Sequence, residues 1–186
     1  MERWSIMNSM KKFCGVVIAS SLLVLAAGCK KESAPAPEAP VASKPAAKPP
    51  VVPIPSNHIY DENADPKADI AAAQKKAKAE HRNVILDFGG DWCGDCQVLY
   101  YYFHKSPNVE VLEKNFVLVP VWIGRMDHNI DIAAKYGVPI AKGVPALAVL
   151  DGQTGKVIYS QAQGEFADMR HMDEKYATDF LDRWKP

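Results

Sequence analysis

The sequence predicts an α/β domain, a central mixed sheet of four or five strands flanked by helices. Two observations carry that prediction. Short apolar, β-rich runs (VILDF, FVLVPVWI, ALAVL) alternate with stretches of helical spacing. The last two strand candidates are divided by a compact DGQTG turn, the mark of a hairpin.

Taken in order, the first helix opens at Asp65-Pro66, with aspartate as cap and proline in the first turn, and runs on alanines and lysines to about residue 81. Residues 84–88 form a short apolar strand, and 93–105 a helix. A second short helix covers 109–115, after Ser106-Pro107. Residues 116–123 read as a buried strand, and 130–136 as a helix stopped by Gly137. Residues 146–150 are a strand, 151–155 a turn and 156–159 the returning strand. Met169, Met172, Tyr176, Phe180 and Trp184 recur at three or four, which predicts one C-terminal amphipathic helix with its stripe in the core. Strands joined through helices are expected to run parallel, and the final hairpin antiparallel. Tyr100, Tyr101, Tyr102 and Phe103 are consecutive and cannot share one helix face, so some belong to the core and others to the surface.

The 186 residues divide into three parts. Residues 1–28 have the layout of a secretory leader: Lys11 and Lys12, an apolar run over 13–27, then Gly28 before Cys29. That ending resembles the lipobox of bacterial lipoproteins, which implies lipidation of Cys29 and a chain anchored to the membrane without spanning it. Lys30 after the cysteine leans to the outer membrane, with the domain facing the periplasm. The start of translation is Met1 or Met10. Residues 29–56 are rich in proline and alanine and lack aromatics, which makes them a spacer rather than a core-forming segment. At ~3.1 Å per residue it reaches roughly 80 Å. The globular part is 57–186, the size of one domain. Formal net charge is zero and no basic stripe marks that part, so nucleic acid is not an expected partner.

With Cys14 in the leader and Cys29 lipidated, Cys93 and Cys96 are the thiols left in the soluble part. In an oxidising compartment they form a disulfide with each other, a reactive dithiol or a metal site. The pair opens a predicted helix, where free N–H groups and the macrodipole favour an anion and lower a thiol pKa. Cys93, the more exposed, is expected to attack, and Cys96 to resolve.

These residues resemble the thioredoxin superfamily: Asp87-Phe88, then Trp92-Cys93-Gly94-Asp95-Cys96, then Tyr136-Gly137-Val138, then Val144-Pro145 before ALAVL. The likeness runs over about 65–184. It implies a thioredoxin-like fold and a catalytic set of Cys93, Cys96 and Asp87. Asp87, in the apolar frame VILDF, would be a buried carboxylate with a raised pKa that moves protons to and from Cys96. Pro145 would be the family's cis-proline, with Val144 and Trp92 beside it contacting a client chain. Three departures stand out: Asp95 replaces the usual proline, Gln97 the usual lysine after the second cysteine, and Ile123 the lysine that neighbours the buried aspartate. Pro107 lies fourteen positions after Cys93, and this stretch resembles the periplasmic domain of the membrane thiol–disulfide interchange transporter.

The resemblance implies an exported protein-disulfide oxidoreductase with no cofactor beyond its own redox-active cysteines. Its expected partners are disulfide-bearing clients and a membrane or periplasmic electron donor. Asp95 should disfavour the neighbouring thiolate, which argues for a reductase. An oxidase or isomerase, a metal-delivering module and a purely structural disulfide are the alternatives. His104, roughly 16 Å along the helix from Cys93, cannot serve the thiolate directly. His58, His81, His128 and His171 read as surface residues.

Overall fold

The computed structural model of the chain describes Ile54 and residues 56–186. The leader, Cys29 and nearly all of the 29–56 spacer lie outside the described residues. The elements are α1 (Pro66–Glu80), β1 (Asn83–Gly89), α2 (Gly94–Phe103), α3 (Asn108–Asn115), β2 (Phe116–Trp122), α4 (Ile130–Lys135), β3 (Ala146–Leu150), β4 (Val157–Ser160) and α5 (Lys175–Trp184), with short 3-10 turns at Ile140–Lys142 and Met169–His171. Asp65 caps α1 as expected, its carboxylate accepting the N–H groups of Lys67 and Ala68.

The sheet has four strands in the order β2-β1-β3-β4. Strands β1 and β2 are parallel, and β3 and β4 form the antiparallel hairpin. Against the helix-joined expectation, β3 runs antiparallel to β1. The reason is the link between β2 and β3. Its helix α4 has six residues and rises only about 9 Å, against about 23 Å for a seven-residue strand. The chain therefore never travels back along the sheet, and β3 starts at the end where β2 stops.

The central strand β1 is buried at all seven positions. Alternation sends Val84, Leu86 and Phe88 to one core layer, with α1 and α4. Ile85 enters the other layer with Val98, Leu99, Phe103, Leu147 and Phe180, from α2, β3 and α5. Asp87 shares the parity of Ile85 and so lies on the α2 face. Tyr102 and Phe103 of the aromatic run are core residues, Tyr101 is exposed, and Tyr100 stacks on His104 at 4.0 Å between centroids.

The C-terminal stripe departs from one continuous helix. Met169 sits in a 3-10 turn, Met172 is extended, and α5 starts only at Lys175. The break coincides with a diverted donor: the Arg170 backbone N–H goes to the Asp95 carboxylate, not to a helical carbonyl. Tyr176 also departs from the stripe, being 39% exposed, with its ring edge-on to Phe166.

Candidate active site

Strand β1 delivers the chain to the C-terminal edge of the sheet, and the loop 90–92 turns it into α2. Cys93 takes an extended conformation as the N-cap, and its sulfur accepts the Cys96 backbone N–H at 3.2 Å. The two sulfurs are at disulfide distance, with Cα atoms 5.2 Å apart. A thiolate formed at Cys93 would occupy the same position, facing the positive end of the helix. Cys96 is fully buried and Cys93 is 5% exposed, so Cys93 is the accessible member but much less open than the sequence implies. The Val144 carbonyl, 3.5 Å from Cys93 Sγ, closes part of that space. The Val144–Pro145 peptide is cis, and so is Ser106–Pro107, which carried no such sign in the sequence.

Asp87 is 2% exposed, two residues before the end of β1. Burial pushes its carboxyl up to about 7, while a hydrogen bond from the Tyr60 hydroxyl pulls the other way. That bond is 2.9 Å to Oδ2, and Oδ1 is buried with no hydrogen-bond partner among the described residues. Tyr60 is itself buried, and burial with the nearby Asp87 charge raises its phenol well above the ordinary range, which keeps it a proton donor. Ile123, at the family's lysine position, is fully buried and supplies no charge. Gly89 brings these groups close: a Cβ there would lie 2.5 Å from Tyr60 Oη and 2.8 Å from Cys96 Sγ.

Tyr60 reaches Asp87 because residues 57–60 are clamped to the motif loop. Asp91 accepts the backbone N–H groups of Ile59 (2.9 Å) and Tyr60 (3.1 Å) and pairs with His58. Burial alone would raise Asp91, but these donors outweigh it and hold its carboxyl below the usual value. Gln97 closes the other side, accepting the Asn57 N–H (2.7 Å) and donating to the Asn57 and Asp91 carbonyls. The glutamine that replaces the expected lysine is thus 6% exposed and built into the clamp.

One sequence-based expectation needs correction. Asp95 does not act as a lone charge beside the thiolate. It is 7% exposed and forms an ion pair with Arg170, which approaches through Nε (3.2 Å) and a terminal nitrogen (3.1 Å). Trp92 is 40% exposed, donates its indole N–H to the Gly124 carbonyl at 2.7 Å, and carries the Arg125 guanidinium over its ring at 5.1 Å. Tyr60, Asp91 and Arg170 were missed by sequence reasoning. Asp91 lies within the motif and had a local signal; Tyr60 and Arg170 are brought in from 27 and 75 residues away from their partners. No group of three or more His, Cys, Asp or Glu side chains among the described residues could hold a metal ion.

A family model described as thioredoxin-like matches residues 65–152. An H-type thioredoxin of Chlamydomonas reinhardtii is 28% identical over 83 residues, 45% of this chain and 64% of that one. The chain spans between 61% and 65% of the length of the curated thioredoxins it matches. The crystal structure of a disulphide isomerase from Xylella fastidiosa Temecula1 is 34% identical, with a TM-score of 0.65, over 68% of this chain and 96% of that one. The oxidised DsbD C-terminal domain of Neisseria meningitidis is 20% identical, with a TM-score of 0.41, over 64% and 96%.

Proposed function

The chain belongs to the thioredoxin-like family, and from that premise we propose that it is a thiol–disulfide oxidoreductase acting on disulfides of client proteins. The observation that carries the reading is Cys93 as N-cap of α2, its sulfur under the Cys96 N–H and against the carbonyl of the cis Val144–Pro145 unit. The Cys93 thiolate attacks one sulfur of a client disulfide and expels the other as a thiolate. Cys96 then gives up its proton and attacks Cys93. The Cys93–Cys96 disulfide forms and the second client thiolate leaves. The client gains two electrons, the pair loses two, and a dithiol donor must restore it.

The direction in this reading is reductive. Asp95 lies in the first turn of α2 and opposes the helix's stabilisation of an anion, and Arg170 offsets part of that opposition. Equilibration with glutathione should give a potential near the roughly −270 mV of thioredoxin; a value near the −120 mV of a strong oxidant would overturn the direction. A second reading, isomerase, draws on the similarity to the Xylella protein of that name. It is separated by testing whether the reduced protein restores activity to a scrambled disulfide substrate without a reducing partner.

The reading also places the protein outside the cytoplasm, lipidated at Cys29 and tethered by the 29–56 spacer. Labelled palmitate should enter the wild type and not Cys29→Ser. Clients are identified by trapping: Cys96→Ser cannot resolve mixed disulfides at Cys93, so clients should accumulate on it and be released by dithiothreitol. Absence of any trapped species from exported protein would refute the exchange function.

A further inference from the structure

We propose that Tyr60 is the positioning residue for proton transfer from Cys96, holding Asp87 as the acceptor from outside the sheet. The proposal rests on the thiol–disulfide exchange reading above. Its footing is geometric. The Tyr60 hydroxyl donates to Asp87 Oδ2 at 2.9 Å, and Asp87 Oδ1 is left unbonded among the described residues. The hydroxyl and the Cys96 sulfur crowd the same side of Gly89, where a Cβ would lie 2.5 Å from the one and 2.8 Å from the other. Residues 57–60 are held there by two side chains of the motif region itself, Asp91 and Gln97, through contacts to backbone atoms of Asn57, Ile59 and Tyr60. Such a clamp fixes the hydroxyl to the motif loop rather than leaving it to loop motion.

The step balances simply. The Cys96 S–H proton passes to the Asp87 carboxylate. The Cys96 thiolate forms the bond to Cys93 Sγ, and the Cys93–client S–S bond breaks with its electron pair leaving on the client sulfur. The proton on Asp87 is then free to return to solvent or to the departing thiolate. Tyr60 acts through Asp87: its hydrogen bond favours the carboxylate and so opposes the rise that burial imposes on the acceptor. The other titratable groups beside the pair are Cys96, whose sulfur crowds Gly89 together with the Tyr60 hydroxyl, and Asp91 in the motif loop, whose charge acts on Tyr60. From the sheet the neighbours are uncharged: Pro120 and Leu147 in register with Asp87, and Ile123 beyond β2.

The test uses the reduced chain carrying Cys14→Ser and Cys29→Ser, so that Cys93 and Cys96 are its two thiols, and a chromogenic aromatic disulfide, 5,5′-dithiobis(2-nitrobenzoate). Attack by Cys93 releases one equivalent of coloured thiolate, and resolution by Cys96 releases the second. In Tyr60→Phe the first phase should keep the wild-type pH profile. The inflection of the second phase should move up by about half a unit to one unit, with a several-fold slower rate at pH 7. Asp87→Asn should abolish that inflection, and the double variant should match Asp87→Asn. Superimposable second-phase profiles for wild type and Tyr60→Phe would overturn the proposal. A wild type that releases no second equivalent would instead overturn the exchange reading on which it stands. If Tyr60→Phe fails to fold, carbon-13 NMR of the labelled wild type decides. The Tyr60 ring carbon bearing the hydroxyl should titrate with the Asp87 carboxyl at one midpoint, and a Tyr60 signal unmoved across that midpoint would refute the pairing.

Discussion

Asp87 should leave a signature in stability as well as in rate. Its carboxyl ionises near 3.8 in an unfolded chain and at about 7 when buried in the fold. Between those values the folded state holds a proton that the unfolded state has released. Stability is therefore fully present below about pH 4, falls as pH rises toward 7 and is level above. The span corresponds to a few kcal/mol at about 1.4 kcal/mol per unit. Oxidised Asp87→Asn should be more stable than wild type by a few kcal/mol at pH 8, with the gap closing toward pH 4, as read from urea midpoints. This residue was legible because its signal is local: an aspartate inside VILDF, six positions before the cysteine. Tyr60 was not, because it sits in a loop with no periodicity and meets Asp87 only after the chain has folded over the sheet edge. Asp95 was legible as a carboxylate beside the sulfurs but not as half of an ion pair, since Arg170 comes from the far end of the chain.

At the level of elements, the site is the meeting of one strand end, one helix start and one 3-10 turn. The turn Met169–His171 is clasped to α2 through Asp95 and Arg170. Arg170→Ala should leave the Asp95 charge less compensated and raise the Cys93 thiol pKa by about half a unit, whereas Asp95→Asn should lower it by a similar amount. The pH dependence of Cys93 alkylation by iodoacetamide reads both, and equal values in the two variants would show the clasp electrically silent. At the end of β1, Gly89→Ala would push a methyl against Tyr60 and Cys96, and calorimetry should show a loss of about 1–3 kcal/mol. Helices α1 to α4 fell near their expected places because caps, proline and glycine mark their ends. The last helix did not, because its sequence stripe stays periodic through Met169 and Met172 while the Arg170 N–H is taken by a distant carboxylate. The reversed β3 was hidden for a similar reason: the length of α4 decides it, and boundaries are the weakest part of a pattern.

Over the whole molecule, a fully buried central strand carries two core layers, and the redox pair stands where that strand gives way to a helix. The family match begins at residue 65, yet Tyr60 and the rest of the 57–60 segment that Asp91 and Gln97 hold lie before it. A chain trimmed to begin at residue 65 should therefore keep the sheet but lose the Asp87 partner, with a lower urea midpoint than the same domain begun at residue 54. The sheet and the cysteine motif were readable at this scale because alternation and spacing are written along the chain. The clamp was not, because it is made of side chains reaching backbone atoms 40 and 32 residues away. That clamp also binds the history of three positions together. Asp91 and Gln97 are shaped to hold one particular loop, and the loop is held there to present one hydroxyl. A descendant that lost Tyr60 would have little use for the other two, so across relatives the tyrosine, the aspartate and the glutamine should appear and vanish as a set. An alignment of relatives in which the three vary independently would contradict this.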